Sequence, residues 1–314
     1  MLLKRKIPLG YVLGKIKKQL ALVVLYATAF AVLHHYSNGF AVEIPIAVPS
    51  IVGTIISLLL AFKSNQAYDR WWEARIVWGG IVNDSRTLVR QLLAFYKDPD
   101  WSVGAGVFKE RFAKRQAAWC YALSQSLRGK DPVKPIESLM SEEEIRFIKS
   151  HKNVPNAILL LHARDLKRAH QEGKLSTYKQ VELDNTLTRL CDGMGKCERI
   201  KNTVFPVTYS MYTRFTLWLF IILLPFSVAD TVGWLQVPVV ATIAAAFFLI
   251  EKMAIHLQDP FENRPTDTPM VTISNTIEMN LMQMVQEYRN EMEIANGVPV
   301  SMKNIQAANP YFVL

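Results

Sequence analysis

The stretch IVGTIISLLLAFKSNQAYDRWWEAR, residues 51–75, changes from apolar to polar at Lys63 without a residue that would end a helix. Pro45 and Pro49 restrict where this helix begins, because proline fits a first turn but breaks a helix interior. A start near Pro49 leaves an apolar part of about 20 Å, shorter than the roughly 30 Å hydrocarbon layer of a membrane. The stretch therefore predicts a helix that continues from a membrane into a soluble region.

Four runs of the chain lack Asp, Glu, Lys and Arg: residues 19–42, 44–62, 215–229 and 231–250. About 20 apolar residues in a helix cross a bilayer. The short third run is lengthened by the uncharged residues 202–213 if Arg214 snorkels or faces protein. The runs predict an all-α membrane protein with four transmembrane helices per subunit.

The distribution of lysine and arginine predicts the orientation, because these residues are retained on the cytoplasmic side of short membrane flanks. Residues 1–18 contain six of them and no acid, whereas the loops HHYSNGFAVE and SVADTVGWLQV contain none. We therefore predict a multi-pass protein of the cell (inner) membrane with both termini in the cytoplasm. The net charge of +9 is concentrated near the membrane ends, so the lipid bilayer is a sufficient partner and no nucleic acid is expected.

The residues between the second and third runs predict a helical cytoplasmic bundle, because apolar residues recur at helical spacing between breaks at 97–100, 129–135 and 172–174. Ser141 and Glu144 predict a capping box at the start of one helix. The predicted organisation has four parts: an N-terminal amphipathic segment with transmembrane helices 1 and 2 (1–62), a cytoplasmic helical region (63–205), transmembrane helices 3 and 4 (206–256) and a cytoplasmic C-terminal segment (257–314).

The sequence lacks the residue groups that would indicate an enzyme. It has no di-iron type of histidine cluster, no G-x-S-x-G, no phosphate-binding glycine loop and no pair of intramembrane carboxylates. Cys120, Cys191 and Cys197 lie in the predicted cytoplasmic region, where thiols stay reduced, and their spacing matches no zinc pattern. We therefore predict no enzymatic activity, no metal and no cofactor.

Thr54, Leu58 and Phe62 recur every four residues, so they lie along one face of the second helix, each about 6 Å further along its axis. In several copies around a symmetry axis, this face would form stacked rings that narrow a passage and gate it by dewetting. Ordinary packing of an apolar helix explains the same spacing, so the spacing leaves both interpretations open.

Three stretches carry a resemblance to a known family. FKSNQAYDRWWEARIVWGG (62–80) resembles the segment after the second span of the bestrophin family, including its prokaryotic members. There an aromatic residue at the base of the pore neck precedes an Arg-aromatic-aromatic signature, here Phe62 and then Arg70, Trp71 and Trp72. KCERIKNTVFPVTYSMYTR is similar to the family's approach to its third span, and LQDPFEN to its Asp/Asn-Pro-Phe stretch after the fourth. With the four-span layout, the resemblance covers nearly the whole chain.

The resemblance implies a homopentamer around one central ion pathway, with second helices lining a hydrophobic neck. If Phe62 matches the lower aromatic residue of the neck, Leu58 and Thr54 take the other neck positions. Thr54 departs from the large apolar residue usual there, and its hydroxyl should lower the barrier to ion dehydration. Tyr178 lies near the family's lower cytoplasmic constriction.

The animal members carry a calcium clasp just after Asn-Pro-Phe, and the matching stretch departs from it. Asp259, Asn263 and Asp267 are present, but Arg264 and Pro265 lie between them. Calcium takes six to eight oxygen ligands, and a cation among few carboxylates opposes its binding. We therefore predict no calcium gating, with a loose site as the alternative.

We interpret Arg70, Trp71 and Trp72 as structural residues that fix the angle at which the pore helix enters the bundle, with a ligand site as the alternative. Arg214 either attracts anions or snorkels to the cytoplasmic edge. The resemblance implies passive conduction of small monovalent ions, and its eukaryotic members imply anions such as chloride. A cation channel of the same architecture, a transporter with alternating access and a non-conducting scaffold remain open.

Overall fold

The computed structural model describes residue 10 and residues 14–36, 44–98, 102–203 and 206–295, which form helices and turns and no strand. The first helices are α1 (Lys17–Tyr36), α2 (Ala47–Phe95), α3 (Val103–Leu127), α4 (Glu142–Lys149) and α5 (Val154–Gln171). They are followed by α6 (Thr177–Asn202), α7 (Val207–Val232), α8 (Gln236–Gln258) and α9 (Met270–Ala295). The helical prediction is confirmed, whereas most of the predicted amphipathic segment and both termini lie outside the described residues.

Helix α2 is 49 residues long and runs without a break past Lys63, as the opening stretch predicts. It begins at Ala47, two residues before Pro49. Proline is tolerated there because the first N–H groups of a helix have no partner within it. One continuous helix therefore couples its apolar N-terminal part to the polar bundle.

Helices α7 and α8 form an antiparallel hairpin around Gly233, whose φ of 51° suits glycine. The rings of Trp218 and Phe248 lie 5.3 Å apart, and those of Phe220 and Phe247 5.4 Å apart. Pro225 lies inside α7, which continues past it. The unbroken course of α7 does not match the interrupted helices expected of an alternating-access transporter.

Three helical stretches of the described chain are long and apolar enough to cross a membrane: Lys17–Tyr36, Ala47–Phe95 and Val207–Gln258. The last stretch contains both α7 and α8 with the turn between them. The predicted count of four spans divides this stretch at Gly233 and stays a prediction.

The described helices enclose two apolar cores. Buried residues of α1, α2, α7 and α8 form the first core, among them Val23, Ile56, Leu217 and Phe248. The second core belongs to the polar bundle and includes Trp78 of the same helix α2. The predicted capping box of α4 is confirmed, since the Ser141 N–H donates to Glu144 Oε2 at 3.0 Å and the Glu144 N–H to Ser141 Oγ at 3.4 Å. Because α2 belongs to both cores, packing fixes the orientation of this helix relative to both groups of helices.

Candidate ion pathway

The predicted neck residues share one uncovered face of α2. Leu58 is 68% exposed and Phe62 is 55% exposed, while Ile56 and Leu60, which lie two residues before and two residues after Leu58, are buried. Thr54 is also exposed, and its hydroxyl donates to the Ser50 carbonyl at 2.9 Å. This face of a single chain is free to line a passage or to meet another molecule.

The exposed face of α2 continues into the bundle region. Tyr68, Trp72 and Ile76 are exposed although they are large and apolar, and the Tyr68 and Trp72 rings stack with centroids 6.5 Å apart. Sequence reasoning did not single out Tyr68 or Ile76. Each lies four residues from Trp72, one on either side, and this spacing is the signal that could have identified them.

Arg70 bridges the ends of two other helices. Its Nε donates to the Gln258 carbonyl at 3.0 Å, its Nη2 to the Ile200 carbonyl at 2.5 Å, and its Nη1 to the Thr203 carbonyl. These acceptors lie at the C-terminal ends of α6 and α8, where carbonyls lack partners within the helix and a cation is favourable. The Arg70 guanidinium thereby holds α2 against the C-terminal ends of α6 and α8.

Trp71 and Trp72 have different surroundings. Trp71 Nε1 donates to the Thr266 carbonyl at 2.7 Å, and the Arg75 guanidinium lies 5.2 Å from the Trp71 ring centre. Trp72 instead contacts the rings of Trp71 and Tyr68 on the exposed face of α2. Arg70 therefore anchors α2 to the ends of α6 and α8, and Trp71 anchors it to the segment after α8.

Basic residues from other parts of the chain occupy the side-chain oxygens of the loop between α8 and α9. Lys201 Nζ donates to Asp259 Oδ2 at 2.7 Å and to Glu262 Oε1 at 2.6 Å. Arg128 donates to Asn263 Oδ1 at 3.0 Å. Among the described residues, no group of three or more His, Cys, Asp or Glu side chains is placed to hold a metal ion. Lysine and arginine thus compete with any divalent cation for these oxygens.

Asp267 of this loop is buried, and its Oδ2 accepts from the Arg264 backbone N–H at 2.9 Å. Burial raises the pKa of the Asp267 carboxyl from 3.8 to about 6. Because the folded state then holds a proton that the unfolded state has released, stability falls as pH rises from about 4 to about 6. This loss persists at neutral pH.

We expect Asp267→Asn to stabilise the protein at pH 7 by about 2 kcal/mol, because the amide cannot ionise and still accepts from Arg264. At pH 4 the variant and the wild type should unfold alike. Unfolding midpoints in detergent between pH 4 and pH 7 measure the difference, with Asp131→Asn at a loop outside this segment as the matched control. An equal gain at both pH values would contradict the account.

The remaining predicted residues lie apart from the neck face. Tyr178 is 82% exposed in the first turn of α6. Arg214 is exposed on α7, and its Nε lies 3.3 Å from Oε1 of buried Glu251 on α8. Sequence reasoning missed Glu251, although a lone acid after an apolar span is a signal for a partner of an intramembrane arginine.

Comparisons with known proteins agree with the resemblance. Residues 4–283 match the family described as Bacterial/Fungal Bestrophin protein. The chain is 32% identical over 277 residues to the voltage-dependent anion channel-forming protein alr2987 of Nostoc, covering 87% of each chain. It is 29% identical over 278 residues to the voltage-dependent anion channel-forming protein YneE of Escherichia coli, covering 88% of this chain and 89% of that one. A crystal structure of a bacterial bestrophin homolog from Klebsiella pneumoniae superposes with a TM-score of 0.79 at 30% identity, over 86% of this chain and 98% of the other.

Proposed function

The chain belongs to the bestrophin family of bacteria and fungi, and from this membership we propose that it is a channel that passively conducts small monovalent anions such as chloride. The names of its relatives in Nostoc and Escherichia coli support anions as the conducted ions. The observation that carries the proposal within this chain is the exposed face of α2 with Leu58 and Phe62, beside the buried Ile56 and Leu60.

The proposed channel is a homopentamer of four-span subunits with both termini in the cytoplasm, in a cell (inner) membrane. Five copies of α2 around one axis would turn the apolar face that a single chain leaves exposed toward a shared passage. The uncovered Tyr68, Trp72 and Ile76 continue this face below the neck, where neighbouring subunits or the cytoplasmic vestibule would meet them. The subunit number follows from the family resemblance, and the need for several copies follows from the exposed face.

In the proposed neck, Leu58 and Phe62 form apolar rings that control conduction by dewetting. Thr54 lies one helical turn beyond Leu58 on the same face. Its hydroxyl proton is directed to the Ser50 carbonyl, so the oxygen lone pairs rather than the O–H face the passage. This ring therefore interacts with the hydration water of an anion more readily than with the anion itself.

We propose that calcium does not gate this channel through the loop after α8. Lys201 already neutralises Asp259 and Glu262, and Asp267 is buried with a raised pKa. Arg70 and Trp71 serve as the structural anchor of α2, with Trp72 packed against Trp71. Tyr178 lines the lower constriction, and Arg214 adds positive charge near the membrane edge. No metal or other cofactor is needed for passive conduction of this kind.

The first test is the reversal potential of the purified protein in a planar bilayer under a potassium chloride gradient. We expect reversal near the chloride potential, and no change when calcium is added or chelated. Reversal near the potassium potential would show that the channel conducts cations instead of anions. The absence of current in a folded protein would favour a non-conducting membrane scaffold.

Leu58→Ala and Phe62→Ala should each raise the current about tenfold, because a smaller side chain lowers the dewetting barrier by about 1.4 kcal/mol. Leu25→Ala is the matched control, since Leu25 of α1 is 71% exposed, close to Leu58, but lies on another helix. Its current should equal that of the wild type. Equal currents in the wild type and all three variants would refute the assignment of Leu58 and Phe62 to the neck, but not the proposed channel function.

A further inference from the structure

Lys63, directly after the predicted neck, is one of the largest fully buried side chains among the described residues. It is 1% exposed, and its Nζ donates a hydrogen bond to no residue that the structure describes. An unpartnered buried ammonium is costly, and an apolar residue of similar volume would usually serve packing as well or better. Packing therefore does not explain a lysine at this position, and an ionisable residue at the membrane edge is a candidate for function.

The charged groups that act on Lys63 come from the two helices of the α7–α8 hairpin. They are Glu251, Arg214 and Lys252. Glu251 is itself buried and already lies 3.3 Å from Arg214 Nε. These three basic residues and one carboxylate, which we call the Lys63 cluster, have a positive net formal charge.

The backbone of Lys63 lies close to the axial level of Phe62, because the two residues are consecutive in α2. Consecutive residues of an α-helix differ by about 1.5 Å along the axis, and a helix with its side chains is about 10–12 Å across. Phe62 is on the exposed face of α2 and Lys63 on the buried face. An ion that passes Phe62 is therefore separated from the Lys63 ammonium by about one helix diameter of low-dielectric protein.

A charge at this distance is large enough to affect which ions pass. At an effective dielectric constant of about 20, one unit charge about 12 Å away changes the local concentration of a monovalent ion about tenfold. Salt screens buried charges much less than exposed ones. The neck residues carry no charge of their own. A positive charge behind the neck wall would therefore favour anions without binding them.

We infer that Lys63 is a selectivity-determining residue whose ammonium, partly balanced by Glu251, gives the cytoplasmic end of the neck its preference for anions. The inference rests on the proposed channel function and on α2 as the wall of the pathway. It assigns opposite effects to the two members of the cluster: loss of the Lys63 charge weakens the anion preference, and loss of the Glu251 charge strengthens it.

The test compares Lys63→Met and Glu251→Gln with the wild type by reversal potential in a potassium chloride gradient. Both substitutions nearly preserve side-chain volume. We expect the anion-to-cation permeability ratio to fall about three- to tenfold in K63M and to rise by a similar factor in E251Q. Lys18→Met is the control, because Lys18 is exposed at the start of α1, and its ratio should not change.

A conducting K63M channel with the wild-type ratio would overturn the inference while leaving the channel function intact. If the wild type itself carries no current, the proposed function fails instead, so the two failures are distinguishable. If K63M does not yield folded protein, E251Q decides: a higher anion preference supports the inference, and an unchanged or lower preference overturns it.

Discussion

Arg115→Met should lower the free energy of unfolding by about 3–5 kcal/mol, because it leaves buried carboxylates without their main cation. Arg115 of α3 is buried. Its Nε donates to Glu144 Oε1 at 3.0 Å, its Nη2 contacts the same oxygen, and its Nη1 donates to Asp165 Oδ2 at 2.8 Å. One guanidinium therefore joins α3 to α4 and α5.

The other groups around Arg115 cannot replace it. Arg111 donates to Asp165 Oδ2 at 3.0 Å, but its side chain is partly exposed. His162 is buried nearby with no hydrogen-bond partner for either ring nitrogen among the described residues. Burial and the Arg115 charge hold the pKa of His162 well below 6.5, so this imidazole stays neutral and supplies no positive charge.

Thermal and denaturant unfolding in detergent measure this effect. Arg146→Met is the matched control, because Arg146 is an exposed arginine of α4, and its substitution should change stability by about 0.5 kcal/mol or less. Adding Glu144→Gln and Asp165→Asn to Arg115→Met should restore part of the loss, since neutral amides cost less to bury than charges. An Arg115→Met protein as stable as Arg146→Met would contradict this account.

The sequence predicts those parts of the fold that local chemistry decides. Helix α2 continues past Lys63 because nothing there breaks a helix, and α3 ends at Leu127 just before Gly129, whose φ is 65°. The α4 capping box follows from two residues three positions apart. The exposed face of α2 is likewise visible as a spacing of four residues.

Contacts between residues that are distant in the chain could not be predicted in the same way. Arg70 donates hydrogen bonds to backbone carbonyls more than a hundred residues away. Every residue has a backbone carbonyl, so the sequence does not indicate which carbonyls Arg70 reaches. Lys201 meets Asp259 and Glu262 only because the end of α6 lies beside the end of α8. The burial of Lys63 was unpredictable for the same reason, since α7 and α8, which share a core with this part of α2, begin far along the chain.

Arg70→Ala should lower the free energy of unfolding by about 3–4 kcal/mol. Three carbonyls at the ends of α6 and α8 lose charged donors, and each charge-assisted hydrogen bond contributes about 1.5–3 kcal/mol before solvent replaces part of it. Arg70→Lys should recover less than half of the loss, because an ammonium cannot reproduce the planar fork that reaches three acceptors. Because these bonds fix the angle at which α2 enters the bundle, and α2 is the proposed wall of the ion pathway, the substitution should also change conduction.

The experiment combines unfolding in detergent with single-channel current in bilayers for Arg70→Ala, Arg70→Lys and Arg90→Ala. Arg90 lies exposed further along the same helix, so its substitution should leave both quantities near the wild type. We expect stability and current amplitude to change together in the Arg70 variants, since the angle at which α2 leaves the membrane depends on the same three bonds. If Arg70→Ala were as stable as Arg90→Ala, the three carbonyls would be satisfied without it, and Arg70 would not be the anchor of α2.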